Sequence, residues 1–258
     1  MQIDLNISPC PNDTFIFAPL ILGLIKDCPF TVKASFHDVQ TLNQMVLGGT
    51  QGLTKISFGV LNQIPKSFKL LQSGGAMGYG CGPLLLSHSP KLTGADIYLP
   101  GENTTASFLF KFWAKKNNWN GQIKYGYFDK LYEDLLAAKS IQQAVLIHEC
   151  RFLYQKDKLN LIVDLGAFWE EETQSPIPLG GVVSKVSAKI NWEYWIQKSI
   201  QYSQNHRDIV MPFIKQHAQF PDEEVIQKHI DTYVNDFSLD FGDEGKKAIA
   251  NFLSLQKG

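Results

Sequence analysis

Arginine is almost missing from this sequence: only Arg151 and Arg207 stand among 24 basic residues. Against 25 acidic residues the formal net charge is −1. A chain this balanced offers no charge-based case for nucleic acid or an anionic membrane as partner. Any preference for an anion must come from a local pocket. Cysteine is scarce too. Cys10, Cys28, Cys81 and Cys150 show no C-x-x-C spacing, and no histidine stands at zinc-finger distance from two of them. Neither a metal site nor a disulfide framework is expected, and the thiols read as free and mostly buried. Long apolar runs are also lacking. Phe15–Ile25 is about half of the ~20 residues that cross a bilayer, and Pro19 interrupts it, so it reads as a buried helix. The opening Met-Gln-Ile-Asp-Leu-Asn-Ile has no basic stretch, apolar segment or small-residue cleavage site. It does not read as a signal peptide, and the expected location is cytoplasmic. G-x-S-x-G and H-E-x-x-H are absent. The glycine-rich stretch 73–83 holds neither a P-loop nor a dinucleotide fingerprint opening a helix. It reads as backbone lining a cleft or as a tight approach between lobes.

What is present is an ordinary globular composition, 44% apolar and 19% charged, over 258 residues. A chain of this length buries roughly 70–75% of its unfolded surface and needs no staple. Strands are expected at Gln2–Ile7, Phe30–His37 and Leu53–Phe58, with helices at Asp13–Leu24 and Val39–Leu47 between them. The pattern repeats with strands at Asp96–Leu99, Gln122–Phe128, Gln143–Ile147 and Leu161–Leu165. Helices are expected at Thr104–Lys116, with Asn103 as candidate N-cap, and at Lys130–Ala138. From Trp192 onward the chain reads as helical, with Pro212 and Pro221 at helix starts or breaks. Apolar residues of Val225–Phe237 recur every three or four positions, one face of an amphipathic helix.

Strand–helix–strand repeats imply an α/β fold with mostly parallel sheets. Two such blocks, joined by the extended runs Pro83–Ser87 and Pro178–Ser184, imply two lobes with hinge crossovers. Lobe 1 is expected over residues 1–86 plus 182–258, and lobe 2 over residues 87–181. The arrangement resembles type II periplasmic-binding-protein folds, in which strand carboxyl ends face a central cleft.

Polar clusters follow four of these strands. Ser8–Thr14 either starts a helix or offers backbone N–H groups, with Asn12, to a carboxylate. Thr104 and Thr105 either cap a helix or contact an anionic or hydroxylated ligand. Lys55 and Ser57 share one strand face. Lys55 reaches either a ligand, the favoured reading, or an acidic neighbour, because an unpaired buried lysine is costly. His148 follows an apolar strand directly and suits acid–base work, since imidazole titrates near neutrality. His206, His217 and His229 lie in the helical tail and read as solvent-facing or packed. His37 and His88 end strand-like segments and are less easily set aside. Arg151 either grips a carboxylate in bidentate fashion or pairs with Glu149 or Asp164. From residues alone the chain is a two-lobed binder of a small anionic molecule.

Eight segments in order resemble one family: Ser-Pro-Cys-Pro-Asn-Asp-Thr-Phe (8–15), Thr-Lys-Ile-Ser (54–57), the glycine-rich 73–83, Pro-Gly-Glu-Asn-Thr-Thr-Ala (100–106), Ile-His-Glu-Cys-Arg-Phe-Leu-Tyr (147–154), Asp-Leu-Gly-Ala-Phe-Trp-Glu (164–170), Pro-Ile-Pro-Leu-Gly (176–180) and His-Ile-Asp-Thr-Tyr-Val-Asn-Asp-Phe-Ser-Leu (229–239). The chain resembles the 1,4-dihydroxy-6-naphthoate synthases of the futalosine route to menaquinone. That likeness implies a lyase acting on cyclic dehypoxanthine futalosine, with 1,4-dihydroxy-6-naphthoate and dihydroxyacetone as products. It implies no cofactor and no metal. It also implies His148 as proton acceptor and Lys55, Ser57, Thr104 and Thr105 as substrate contacts. Chorismate dehydratase, which shares the fold, and a non-catalytic binder of a small carboxylate are the competing readings. A homodimer is compatible with the sequence.

Overall fold

Each strand–helix block closes into a sheet of its own. A computed structural model describes residues 1–138 and 141–257. The first sheet takes β1 (Gln2–Ile7), β2 (Thr31–Phe36), β3 (Leu53–Ser57), β4 (Phe68–Leu70) and β5 (Ala76–Gly78). The second takes β6 (Leu84–Ser87), β7 (Ile97–Leu99), β8 (Ile123–Tyr125), β9 (Gln143–Leu146) and β10 (Asn160–Asp164). The chain then returns through β11 (Ile177–Lys185), which joins the first sheet. The orders are β2-β1-β3-β11-β4, with β5 also on β11, and β10-β6-β9-β7-β8.

The core of each sheet is parallel: β1 lies between β2 and β3, and β7 between β8 and β9. The antiparallel members surround the crossovers. β11 runs against β3, β4 and β5, and β6 against β9 and β10, so both sheets are mixed. A chain that leaves one sheet and returns meets its neighbours head to tail.

Helix α1 (Pro11–Ile21) is buried over almost its whole length, between the first sheet and helices α7 (Trp192–Asn205), α8 (Arg207–His217) and α9 (Glu223–Tyr233). Phe15, Ile16 and Phe17 are sealed there, each worth about 1.5–3 kcal/mol on burial. Pro19 has no N–H to give the Phe15 carbonyl. Ser203 of α7 supplies the donor instead, Oγ to oxygen at 2.7 Å. Its neighbour Ser199 bonds the Ile16 carbonyl at 2.6 Å.

Several boundaries differ from expectation. α1 begins at Pro11 rather than Asp13, because proline suits the first helical position. The strand expected over 122–128 is only β8, and Phe128 already opens α4 (Phe128–Leu136). Thr104, not Asn103, caps α3 (Thr105–Lys116), its hydroxyl accepting from Ser107 N–H at 3.2 Å. Pro212 sits inside α8 rather than at an end. The short β4 and β5, and helices α5 (Cys150–Leu153) and α6 (Leu165–Thr173), were not expected. No helix among the described residues is long and apolar enough to cross a membrane.

Candidate active site

The four polar clusters meet. One cavity between the sheets is lined by Ser8, Asn12 and Asp13 after β1, Lys55 and Ser57 on β3, Thr104 and Thr105 opening α3, and His148 after β9. Gly82, Leu179 and Gly180 from the crossovers line it too, as do His229 and Tyr233 of α9.

Ser57 and Thr105 join the two sheets at the cavity wall. Thr105 N–H donates to Ser57 Oγ at 2.7 Å, and Gly59 N–H donates to the same oxygen at 3.0 Å. Thr105 Oγ1 donates to the Leu179 carbonyl at 2.9 Å. Asn43 locks the arrangement: its Oδ1 accepts from Ser57 N–H at 3.0 Å, and its Nδ2 donates to the Asn103 carbonyl at 2.8 Å. Gly59 makes this approach possible, since a Cβ there would lie 2.3 Å from the Thr104 carbonyl carbon. Gly59→Ala therefore pushes Thr104–Thr105 away from Ser57. The expected result is a KM raised about tenfold or more, as ligand contacts shift by an ångström; an unchanged KM would show that this junction does not shape the site.

Lys55 proves to have an acidic neighbour. Its ammonium lies 2.8 Å from Asp13 Oδ1 and donates to the Gly74 carbonyl at 2.8 Å. Both side chains are almost fully buried. Asp13 also accepts from Ser8 Oγ at 2.7 Å and from Asn12 Nδ2 at 3.0 Å. The turn 8–13 is thus a helix start and a cavity wall at once. Arg151 is spent elsewhere: it bonds Asp164 at 2.5 Å and the Gly82 carbonyl at 2.8 Å, and does not line the cavity. There Gly82 packs on Gly166, whose Cα would lie 2.3 Å from an added Cβ, so this part of the glycine-rich stretch is a close backbone approach.

His148 has a left-handed backbone, φ 60°, unusual for a residue with a side chain. Such strain persists where surrounding structure holds it. Its Nδ1 lies 3.3 Å from Cys10 Sγ, and its ring meets Phe128 edge-on. Desolvation lowers its titration to about 4, with Asp13 opposing and Lys55 assisting, so the ring is neutral at pH 7. Burial, with the Glu149 charge behind it, raises the Cys10 thiol well above its usual range. Glu149 itself is raised by burial to about 7. Donor atoms of Cys10, His148 and Glu149 lie within 4.8 Å of one another. We do not assign a metal to them, because an ion needs thiolate and carboxylate, and burial favours the protonated form of both.

His229, which lines the cavity, and Glu149, buried beside His148, were not singled out from the sequence. His229 is buried, 1% exposed, and its Nε2 lies 2.9 Å from Asn12 Oδ1. Its signal was readable, since it falls on the apolar stripe of α9 with Ile226, Ile230 and Tyr233. Its partner stands 217 positions away, which no local pattern reveals. His37, His88, His206 and His217 do not line this cavity.

A family model described as menaquinone biosynthesis matches residues 3–257. The chain is 36% identical to a 1,4-dihydroxy-6-naphthoate synthase of Thermus thermophilus, over 97% of this chain and 92% of that one. It is 33% identical to the enzyme of that name from Streptomyces coelicolor, over 98% and 92%. A crystal structure of an Archaeoglobus fulgidus protein superposes with a TM-score of 0.91 at 22% identity, covering 99% of this chain and 97% of that one. A Candida albicans protein described as having the generic periplasmic-binding-protein fold superposes with a TM-score of 0.67 at 11% identity, covering 100% and 90%. Those two likenesses speak to the fold alone.

Proposed function

We propose that this chain, which belongs to the menaquinone-biosynthesis family, is a carbon–carbon lyase converting cyclic dehypoxanthine futalosine to 1,4-dihydroxy-6-naphthoate and dihydroxyacetone. One observation carries the reading at the level of the site. A neutral histidine, His148, lines the same cavity as Ser57, Thr104, Thr105, Asn12 and the Lys55–Asp13 pair.

His148 acts as general base on a hydroxyl or an acidified C–H of the cyclised sugar. Retro-aldol-type cleavage then releases the three-carbon piece, and formation of the aromatic ring drives it. The N-terminal turns of α1 and α3 line the cavity, and the positive ends of the two helices suit the carboxylate and the developing oxyanion. Lys55 ties Asp13 to the Gly74 carbonyl and so fixes the turn that lines the cavity, while Arg151 holds the Gly82 carbonyl and the Asp164 carboxylate rather than touching substrate. The lobe built on the first sheet, which includes β11, and the lobe built on the second, which includes β6, close on each other and exclude water. The enzyme works in the cytoplasm without cofactor or metal.

The test is incubation of purified, metal-stripped protein with cyclic dehypoxanthine futalosine, followed by mass spectrometry. Formation of 1,4-dihydroxy-6-naphthoate is expected. Intact, bound substrate with no product would replace the lyase by a binding protein or by the related dehydratase, with chorismate the next compound to try.

A further inference from the structure

Two buried polar groups beside His148 lack partners. Neither carboxyl oxygen of Glu149 has a hydrogen bond, and neither does Nδ1 of His229. Each residue is 1% exposed. Glu149 Oε2 and His229 Nδ1 lie 3.9 Å apart. Buried polar groups are as a rule hydrogen-bonded, so two unpartnered groups this close point to one missing bond.

The protons can be placed from the neighbours. Asn12 Nδ2 donates to Asp13 Oδ1, so Asn12 presents its oxygen to His229. His229 must then donate from Nε2. Burial and the adjacent His148 push His229 well below its usual titration, so the ring is neutral and Nδ1 carries a lone pair. That lone pair needs a donor. Burial raises the Glu149 carboxyl to about 7, which supplies one. Among the described residues, the other titratable groups around Glu149 include Cys10 at the start of α1, His148, Cys150 and Tyr233 of α9, and Asp38 and His217 line a small cavity beside it. Burial raises both thiols and the phenol and lowers His148, so none of these four brings a charge at neutral pH.

Resting on the lyase reading above, we propose that Glu149, as its carboxylic acid, donates to Nδ1 of His229, and that this bond positions Asn12 and His148 for the reaction. Glu149 follows His148 after β9 of the second sheet, whereas His229 stands on α9 against the first. The bond therefore spans the cleft. Closing the gap to hydrogen-bond distance takes a movement of about 1 Å, which lobe closure supplies. From His229 the chain of bonds runs through Asn12 and Asp13 to Lys55. The His148 ring lies nearly parallel to that of His229, centroids 6.3 Å apart. Both proposed partners are positioning residues.

Glu149→Leu, Glu149→Gln and His229→Phe are compared by kcat, KM and pH profile. Loss of the bond is expected to lower kcat about tenfold in Glu149→Leu and His229→Phe, with KM within about twofold. Glu149→Gln keeps an N–H donor and restores most of the turnover lost in Glu149→Leu. Wild-type activity falls as pH rises through about 7, where the acid loses its proton; Glu149→Gln lacks that fall. Wild-type kcat in Glu149→Leu, or Glu149→Gln no better than Glu149→Leu, overturns the proposal. Imidazole nitrogen NMR of His229 tests the pair without turnover. An Nδ1 signal that moves between wild type and Glu149→Leu supports it, and an unmoved signal overturns it. If wild type cannot turn over the substrate, the lyase reading fails by itself and the NMR result still decides the bond.

Discussion

Replacing His148 by Asn lowers turnover of cyclic dehypoxanthine futalosine by about 10²–10⁴-fold, the range that one general base contributes. Substrate affinity stays close to wild type, because Ser57, Thr104, Thr105 and the helix starts remain in place. Asn preserves polarity and tolerates the left-handed backbone that His148 adopts, so the variant isolates the loss of the base. The pH profile gives a second readout. A histidine lowered to about 4 accepts a proton at every pH above that value. The acid limb of kcat/KM is therefore expected near pH 4 rather than near 6.5, the usual imidazole value. Single-turnover kinetics and substrate titration of the inactive variant separate the two effects. Turnover within a few-fold of wild type would remove His148 from the role of base.

The second large effect falls on stability. Asp13→Ala leaves the Lys55 ammonium buried with one carbonyl, that of Gly74, as partner. Removing one member of a buried ion pair costs about 3–5 kcal/mol, because the other charge stays desolvated. For a chain of this size that corresponds to a fall in Tm of about 10 °C. Asp13→Ala also frees Ser8 and Asn12, so the turn that lines the cavity loosens and activity falls as well. The double variant Asp13→Ala/Lys55→Met removes both charges and recovers much of the stability without recovering activity. Thermal unfolding followed by circular dichroism decides it. A single variant as stable as wild type would mean that water or another group solvates Lys55.

Much of this was legible in one dimension. Alternating strand and helix segments placed two βαβ blocks, and the observed sheets have parallel cores where those blocks predicted them. Side-chain period and turn residues are local properties, which is why Val39–Leu47 was read at its observed bounds. The strand-end rule gathered Asn12, Lys55, Ser57, Thr104, Thr105 and His148 before any contact was known, and one cavity holds them. Errors arose where a local preference competed with tertiary packing. The capping role of Asn103 passed to Thr104, whose backbone is pinned by Gly59. Pro212 continued a helix that its neighbours hold in place.

What each charged or ring nitrogen does was decided only by the fold. Lys55 could have served a ligand or an acid, and the burial of Asp13 at 2.8 Å settled its partner. Arg151 could have gripped a ligand carboxylate or paired with Glu149 or Asp164, and β10 brought Asp164 to it. His229 looked like one more helix residue until α9 packed it against Asn12 and Glu149. Sequence carries residue type and short-range period, and those determine elements, their order and the ends where polar groups collect. Partner choice depends on distance and desolvation between segments 13 to 217 positions apart, and only the packed chain sets those.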